Sequence, residues 1–187
     1  MLIRRIIRAK TMGHAPRFVG SWASLLLAVA FVCASGTAQN QPTSSREPVD
    51  RIIILKSAHT MTLMRDSHVV KTYMVALGRQ PVGAKDREGD HKTPEGEYII
   101  DSKIADSRFH LALHISYPNA ADRARALKLG VNPGGAVEIH GVESRYAWLG
   151  SLHRQIDWTD GCVAVTNSEI DEIWHLVPVG TPVDIRP

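Results

Sequence analysis

Short apolar segments dominate all but the N-terminal part of the chain, and glycine, proline and small polar residues separate them. Ile52–Leu55 is continuously apolar, which is typical of a buried strand. Thr60–Arg65 alternates between apolar and polar residues, as a half-buried strand does. Asp66 and Ser67 then form a turn into Val69–Leu77, so these segments predict a β-hairpin. The whole pattern predicts a mainly-β domain.

Two segments interrupt this pattern and favour helices. The alanine-rich segment Asn119–Leu129 begins at a residue that caps helices, and Gly130 follows it, which suits a helix end. A second helix is predicted over Ser168–Val177 after the capping residue Asn167, because acidic side chains in its first turns suit the helix dipole. The remaining predicted strands are Gly96–Ile100, Phe109–Ile115, Ala136–Ile139, Cys162–Val165 and Thr181–Ile185.

The first 38 residues have the composition of an export signal. They hold five basic and no acidic residues, followed by an apolar run that ends in small residues. The run Ser21–Ala34 has 14 residues, fewer than the roughly 20 that span a bilayer. We therefore predict a cleaved signal peptide over residues 1–38, a linker over 39–50 and one domain over 51–187. The alternative is an uncleaved membrane anchor.

The net charge argues against a nucleic-acid partner. The full chain carries 22 basic and 19 acidic residues, but five of the basic ones lie in the predicted signal peptide. The exported part therefore keeps 17 basic against 19 acidic residues, a net charge of −2 with histidine neutral. Such a balance does not indicate a nucleic-acid-binding surface. We expect a protein of the periplasm or cell wall without a stable membrane span after signal cleavage; no pattern indicates its oligomeric state.

The exported part holds one cysteine, Cys162, because Cys33 belongs to the predicted signal peptide. Two cysteines exclude a disulfide scaffold and a four-cysteine zinc site. A lone cysteine is either an inert thiol or a nucleophile, and a nucleophile needs a base that removes its proton. His140 could be that base if the predicted strand ends are neighbours. The amides of Gly161 and Cys162 could then form an oxyanion hole, with Gly141 allowing close approach of a substrate.

Histidine spacing does not predict a metal site. His110 and His114 are four residues apart, which would suit a metal pair on a helix. The alternation over Phe109–Ile115 indicates a strand instead, in which the two side chains lie roughly 13 Å apart. We therefore predict no metal and no other cofactor. Because His110 and His114 share a strand face, His114 and the nearby Tyr117 could line a substrate cleft.

Four motifs follow one another along the chain: Gly89 with Thr93–Tyr98, Ile139–Gly141, Thr159–Val163 and Val179–Val183. In this order they resemble the L,D-transpeptidase (YkuD-like) catalytic domain, and the resemblance covers Arg51 to Pro187. The resemblance implies a β-sandwich with one or two helices, in which His140 is the catalytic base and Cys162 the nucleophile. The predicted substrate-binding residues are Thr159, Asp160, His114, Tyr117 and Arg154.

The resemblance also implies a reaction on peptidoglycan, and with it a role in cell-wall biogenesis and cell shape. In the implied reaction Cys162 would attack the carbonyl of the third residue of a tetrapeptide stem, and D-Ala would leave as a thioester forms. An amine of a neighbouring stem takes the acyl group, giving a 3–3 cross-link, while His140 moves the protons. Two alternatives stay open: an L,D-carboxypeptidase or endopeptidase that passes the thioester to water, and a wall-binding module without turnover.

The sequence departs from the family pattern near the predicted nucleophile. Asp160 stands where the family commonly has histidine, and its carboxylate should raise the pKa of the thiol unless it pairs elsewhere, for instance with His140 or Arg154. Ala164 stands where many members have arginine. The loop after His140 is slightly longer than usual, and the charged loop over residues 78–93 is interpreted as solvent-exposed. These departures indicate a divergent subgroup.

Overall fold

The predicted strand pattern can be compared with a computed structural model that describes residues 48–187. The predicted signal peptide and most of the predicted linker lie outside the described residues. Val49, near the end of the predicted linker, is buried, and its amide donates a 2.9 Å hydrogen bond to the Leu176 carbonyl. The strands are β1 (Arg51–Leu55), β2 (Thr60–Arg65), β3 (His68–Met74), β4 (Gly96–Ser107), β5 (His110–Ile115), β6 (Glu138–His140), β7 (Val163–Ala164) and β8 (Pro182–Arg186). The helices are α1 (Ala120–Leu129), α2 (Asn167–Leu176) and a 3-10 helical segment (Ser144–Gln155).

All eight strands belong to one sheet with the order β3-β2-β1-β8-β4-β5-β6-β7. The long strand β4 joins its two halves, because residues 96–99 pair with β8 and residues 100–107 pair with β5. After β3, Ala76 exchanges two backbone hydrogen bonds of 2.9 Å with Ala164 in β7, so the two ends of the sheet meet. The sheet is therefore curled on itself, and the predicted mainly-β fold with helices is confirmed.

The hydrophobic core fixes which face each strand presents. Ile52 and Ile54 in β1, Leu63 in β2, Ile139 in β6 and Val163 in β7 are fully buried in one core cluster. Full burial of a side chain of this size contributes about 1.5–3 kcal/mol. A slip of one residue would turn the alternating rows of β1 and β2 out of the core, so this burial sets the register of these two strands.

Helix α1 begins and ends where the sequence predicts. Asn119 caps it by accepting a hydrogen bond from the Asp122 amide at 3.0 Å, and the Asp122 carboxylate accepts the Asn119 amide at the same distance. Gly130 ends the helix in the left-handed conformation, with a φ of 67°. Local capping chemistry was sufficient to predict both ends.

Helix α2 begins one residue earlier than predicted, and its cap is Thr166 rather than Asn167. The Thr166 hydroxyl accepts the Glu169 amide at 3.3 Å, and the Glu169 carboxylate accepts the Thr166 amide at 2.9 Å, which makes a capping box. The Asn167 side chain instead accepts the amide of Val142 at 2.7 Å. Asn167 therefore ties helix α2 to the chain that follows His140.

The loop predicted after β6 contains the 3-10 helical segment. The segment has no side-chain cap at its start, and Gly150 interrupts it with a φ of 49°. It therefore lacks the start signal and the continuity by which a helix is predicted from sequence.

Among the described residues, none of the helices has the length and apolar character needed to cross a bilayer.

Candidate active site

The ends of β6 and β7 bring His140 and Cys162 to one face of the sheet. These strands are parallel neighbours, with Ile139 opposite Val163 and His140 opposite Ala164. Opposite residues share a face and side chains alternate along a strand, so Cys162, which directly precedes β7, lies on the face of His140. The ladder spacing puts their Cα atoms roughly 8 Å apart. The two strand ends are neighbours, as a Cys-His pair requires.

His140 is held in a defined orientation and tautomer. It is 1% exposed, and its ring stacks on Phe109 with centroids 4.4 Å apart and meets Trp158 edge-on at 5.8 Å. Its Nδ1 atom lies 2.6 Å from the carbonyl oxygen of Gly141. Since a carbonyl only accepts, Nδ1 carries the proton and Nε2 keeps the lone pair that a base needs. Burial lowers the pKa of His140 to about 4, so the ring is neutral at neutral pH.

The thiol of Cys162 is protonated in the resting structure. Its Sγ atom lies 3.6 Å from the carbonyl oxygen of Ala136, to which it donates. Burial raises the pKa of Cys162 to about 11, and a backbone hydrogen bond with Glu138 opposes that effect only in part. The site therefore combines a neutral thiol with a neutral imidazole. A nucleophilic role for Cys162 requires its proton to leave as the sulfur attacks.

The turn before β7 holds Cys162 in place. The buried hydroxyl of Thr159 accepts the Gly161 amide at 3.1 Å and donates to the Cys162 carbonyl oxygen at 2.8 Å. Gly161 has a φ of 131°, and a Cβ atom there would lie 2.6 Å from the carbonyl oxygen of Lys92, so only glycine fits. Thr159, a predicted substrate-binding residue, thus braces the turn that presents the thiol.

Of the three backbone amides near the site, one is available to a substrate oxygen. The Gly161 amide is bound to Thr159, and the Gly141 amide donates to the carbonyl oxygen of Leu111 at 3.3 Å. Within residues 48–187, the Cys162 amide makes no hydrogen bond. An oxyanion hole with two donors therefore needs a second group besides the Cys162 amide.

Two cavities near Cys162 share one lining residue, Asp160. The smaller has a volume of about 310 Å³ and is lined by Cys162, the 134–137 loop and charged side chains. The larger is a cleft of about 630 Å³, and Asp160 lines both spaces. The ionisable side chains of the smaller cavity, besides Cys162, are Lys85, Glu88, His91 and Asp160.

The larger cleft has mostly apolar walls. Phe109 and Trp158, the rings that contact His140, form part of its lining, so the cleft adjoins the candidate base. The 3-10 segment supplies much of the rest, which is why sequence reasoning, having predicted a loop there, missed the cleft. Its apolar side chains are Phe109, Val142, Tyr146, Leu149, Leu152, Ile156 and Trp158.

Asp160 has different partners from those expected. Its carboxylate pairs with the Arg79 guanidinium and with Nδ1 of His91 at 2.7 Å, rather than with His140 or Arg154. Partial burial would raise its pKa, but the hydrogen bonds from His91 and Arg79 hold the pKa of Asp160 below its usual value. These two partners compensate the negative charge that Asp160 places next to the cavity.

Three further residues that the sequence assigned to substrate binding line neither cavity. Arg154 binds the Glu169 carboxylate at 2.9 Å. His114 places Nδ1 2.6 Å from an oxygen of Asp101, and Tyr117 is buried and donates to a backbone carbonyl at 2.8 Å. Each of these side chains therefore has a structural partner, and none of the three lines the cavity of Cys162.

The charged loop that was expected to be solvent-exposed contains a buried ion pair. Lys85 is 4% exposed, and its Nζ atom lies 2.8 Å from Oδ1 of Asp90. Lys85 also lines the cavity of Cys162. Burial of an irregular loop leaves no periodic pattern in the sequence, so no local signal could have found this residue.

Comparison with known proteins establishes the family. The family model of the L,D-transpeptidase catalytic domain matches residues 49–185 of this chain. The chain belongs to this family. The L,D-transpeptidase domain thus includes all eight strands and both α-helices, except for the last residue of β8.

A curated relative of this L,D-transpeptidase domain is YafK of Escherichia coli (strain K12), which is itself a candidate L,D-transpeptidase. The two sequences are 30% identical, over 82% of this chain and 63% of YafK. The chain therefore spans less than two thirds of that relative's length.

Solved structures share the L,D-transpeptidase fold. Pgp2, described as the helical cell shape determining protein of Campylobacter jejuni, aligns with a TM-score of 0.58 at 22% identity, over 75% of this chain and 48% of Pgp2. An Enterococcus faecium L,D-transpeptidase aligns with a TM-score of 0.50 at 16% identity, over 75% of this chain and 50% of that one. At these identities the likeness concerns the fold.

Proposed function

We propose that this protein is an exported, cysteine-dependent L,D-transpeptidase that acts on peptidoglycan stem peptides. One observation carries the proposal: in a domain of this family, His140 and Cys162 lie on one face at the ends of β6 and β7, the thiol is at a cavity, and no residue of the described part of the chain bonds to Nε2 of His140. Export, a periplasmic or cell-wall location and a stem-peptide partner belong to the same proposal.

The acylation step uses Cys162 as nucleophile and His140 as base. The sulfur attacks the carbonyl carbon of the third stem residue, and the thiol proton moves to Nε2 of His140. The carbonyl oxygen becomes an oxyanion that the Cys162 amide binds. The bond to D-Ala then breaks, His140 returns the proton to the leaving amine, and a thioester remains on Cys162.

The transfer step reverses these proton movements. The side-chain amine of a second stem attacks the thioester carbonyl and gives its proton to His140. The sulfur leaves and is reprotonated, and a 3–3 cross-link has formed. The cleft of about 630 Å³ beside Trp158 supports transfer to an amine rather than hydrolysis. A second stem peptide needs a space of this kind to reach the thioester, whereas a water molecule does not.

Product analysis tests this function. Purified protein is incubated with disaccharide-tetrapeptide, and the muropeptides are separated by chromatography and identified by mass. We expect release of D-Ala together with 3–3 linked dimers. Disaccharide-tripeptide without dimers would replace the proposal with an L,D-carboxypeptidase. If the protein releases no D-Ala although its near-ultraviolet circular dichroism spectrum shows that it is folded, the proposal of a transpeptidase is replaced by that of a non-catalytic wall-binding module.

A further inference from the structure

The described domain buries two lysines whose hydrogen bonding differs. Lys56 is 3% exposed, and its ammonium has three acceptors: the Gly83 carbonyl at 2.6 Å, the Thr93 carbonyl at 3.0 Å and the Glu95 carboxylate at 2.8 Å. An ammonium has three protons to donate, so every donor of Lys56 is satisfied by the protein. Lys56 is thereby explained as a structural residue.

Lys85 is buried to the same degree but keeps one donor without a protein acceptor. Within residues 48–187 its ammonium donates to the Asp90 carboxylate at 2.8 Å and to the Arg87 carbonyl at 3.1 Å. A buried ammonium with an unsatisfied donor is costly unless a ligand meets it. The comparison with Lys56 shows that the fold can satisfy a buried lysine completely, and it does not do so here.

Asp90 fixes where the Lys85 ammonium lies. Its carboxylate also accepts the backbone amides of Asp86 at 2.8 Å, Arg87 at 3.0 Å and Lys92 at 3.1 Å. Burial would raise its pKa, but the Lys85 hydrogen bond and these amides lower the pKa of Asp90 to about 2. Asp90 is therefore ionised at neutral pH and holds the cation against the loop backbone that it also binds.

The Lys85 side chain lines the cavity that contains the thiol. Lys85 and Cys162 line the same space of about 310 Å³. The Nζ atom is 3.8 Å from the position that a Cβ atom on Gly161, the residue before Cys162, would occupy. The Gly161 amide is already bound to Thr159, so a cation is adjacent to a site that offers one free backbone donor.

We propose that Lys85 is a catalytic residue whose free N–H binds the substrate carbonyl oxygen as it becomes an oxyanion on Cys162. The Cys162 amide is the other donor. This inference rests on the proposed function, since it concerns the same acylation step. The hydrogen bond from Lys85 to the carbonyl oxygen reaches its full strength only when negative charge develops on that oxygen, so it stabilises the transition state more than the bound substrate.

Single-turnover acylation by disaccharide-tetrapeptide tests this contact, with Lys85→Gln as the variant and Lys56→Gln as the matched control. For Lys85→Gln we expect the maximal acylation rate to fall roughly 10²–10³-fold with little change in the half-saturating concentration, as for loss of an oxyanion donor. Lys56→Gln removes an equally buried cation and should change the rate of the folded protein by less than about threefold. An unchanged maximal rate in Lys85→Gln, or a loss confined to the half-saturating concentration, would overturn the proposal.

Alkylation of Cys162 by iodoacetamide, followed by mass spectrometry across pH, tests the same contact without substrate. Removing a nearby cation destabilises the thiolate, so Lys85→Gln should slow alkylation at about pH 9 roughly three- to tenfold, while Lys56→Gln leaves it unchanged. Equal alkylation of Lys85→Gln and wild type would show that the ammonium does not reach the sulfur. If Cys162 of the wild-type protein is alkylated as expected but forms no acyl-enzyme, the proposed function is wrong, while the position of Lys85 beside the thiol is still supported.

A second variant guards against misfolding of the loop. Lys85→Gln combined with Asp90→Asn removes both buried charges and leaves amides that can hydrogen-bond to each other, so no unpaired charge remains. The double variant should show the acylation loss of Lys85→Gln. Wild-type acylation in a folded double variant would identify the pair as a structural clamp and contradict the proposal.

Discussion

A Cys162→Ala protein is expected to fold normally and to release no D-Ala from a tetrapeptide stem. Within residues 48–187 the sulfur has only weak backbone hydrogen bonds, with the Ala136 carbonyl at 3.6 Å and with Glu138, and it lies at a cavity rather than in the core. Its removal should therefore shift the unfolding temperature by less than about 5 °C. Because alanine has no nucleophile, thioester formation should disappear altogether.

The Cys162→Ser variant is the matched control for this substitution. It keeps the shape and hydrogen bonding of the side chain but replaces the thiol with a hydroxyl, which is a far weaker nucleophile without stronger base assistance. D-Ala release by amino-acid analysis and unfolding by circular dichroism are measured on both variants. A folded Cys162→Ala protein that still releases D-Ala would exclude Cys162 as the nucleophile.

Replacing His140 should slow acylation by roughly 10²–10⁴-fold, the usual contribution of a general base. His140→Gln is the preferred variant, because His140 is buried against Phe109 and an alanine would leave a cavity that costs about 3 kcal/mol. Glutamine fills much of that space and has no basic nitrogen. His175→Gln, at an exposed position of α2, controls for loss of a histidine and should retain wild-type rates.

The pH profile gives His140 a second signature. Burial lowers the pKa of His140 to about 4, so the base form is present above that pH and is lost as the pH falls through it. Wild-type acylation should therefore persist down to about pH 5 and decline below, rather than decline near the ordinary histidine value of 6.5. An acid limb near pH 6.5, or acylation by His140→Gln within tenfold of wild type, would contradict this role.

Helix caps and turns that depend on neighbouring residues were predicted correctly. The caps of α1 at Asn119 and Gly130, and the hairpin turn at Asp66 and Ser67, depend on neighbouring residues only. The proximity of His140 and Cys162 was expected from the family resemblance, and the parallel pairing of β6 with β7 brings them to one face.

Side-chain partners that come from distant parts of the chain were not predicted. The Asp160 carboxylate contacts Arg79 and His91, which are distant from it in the sequence, and nothing in the residues next to Asp160 identifies these partners. Lys85 belongs to a run of alternating charges that suggests a solvated loop, and only the fold buries it beside Asp90. The capping of α2 by Thr166 is an intermediate case, since two adjacent residues could each have served as the cap and the long-range bond of Asn167 decided between them.

Intact-protein mass spectrometry of the purified protein during incubation with disaccharide-tetrapeptide detects the acyl-enzyme itself. We expect a species heavier by one disaccharide-tripeptide acyl group, which proteolysis and fragmentation locate on Cys162 and which hydroxylamine removes, as expected for a thioester. Turnover without that species, or an acyl group located on another residue, would contradict the proposed mechanism.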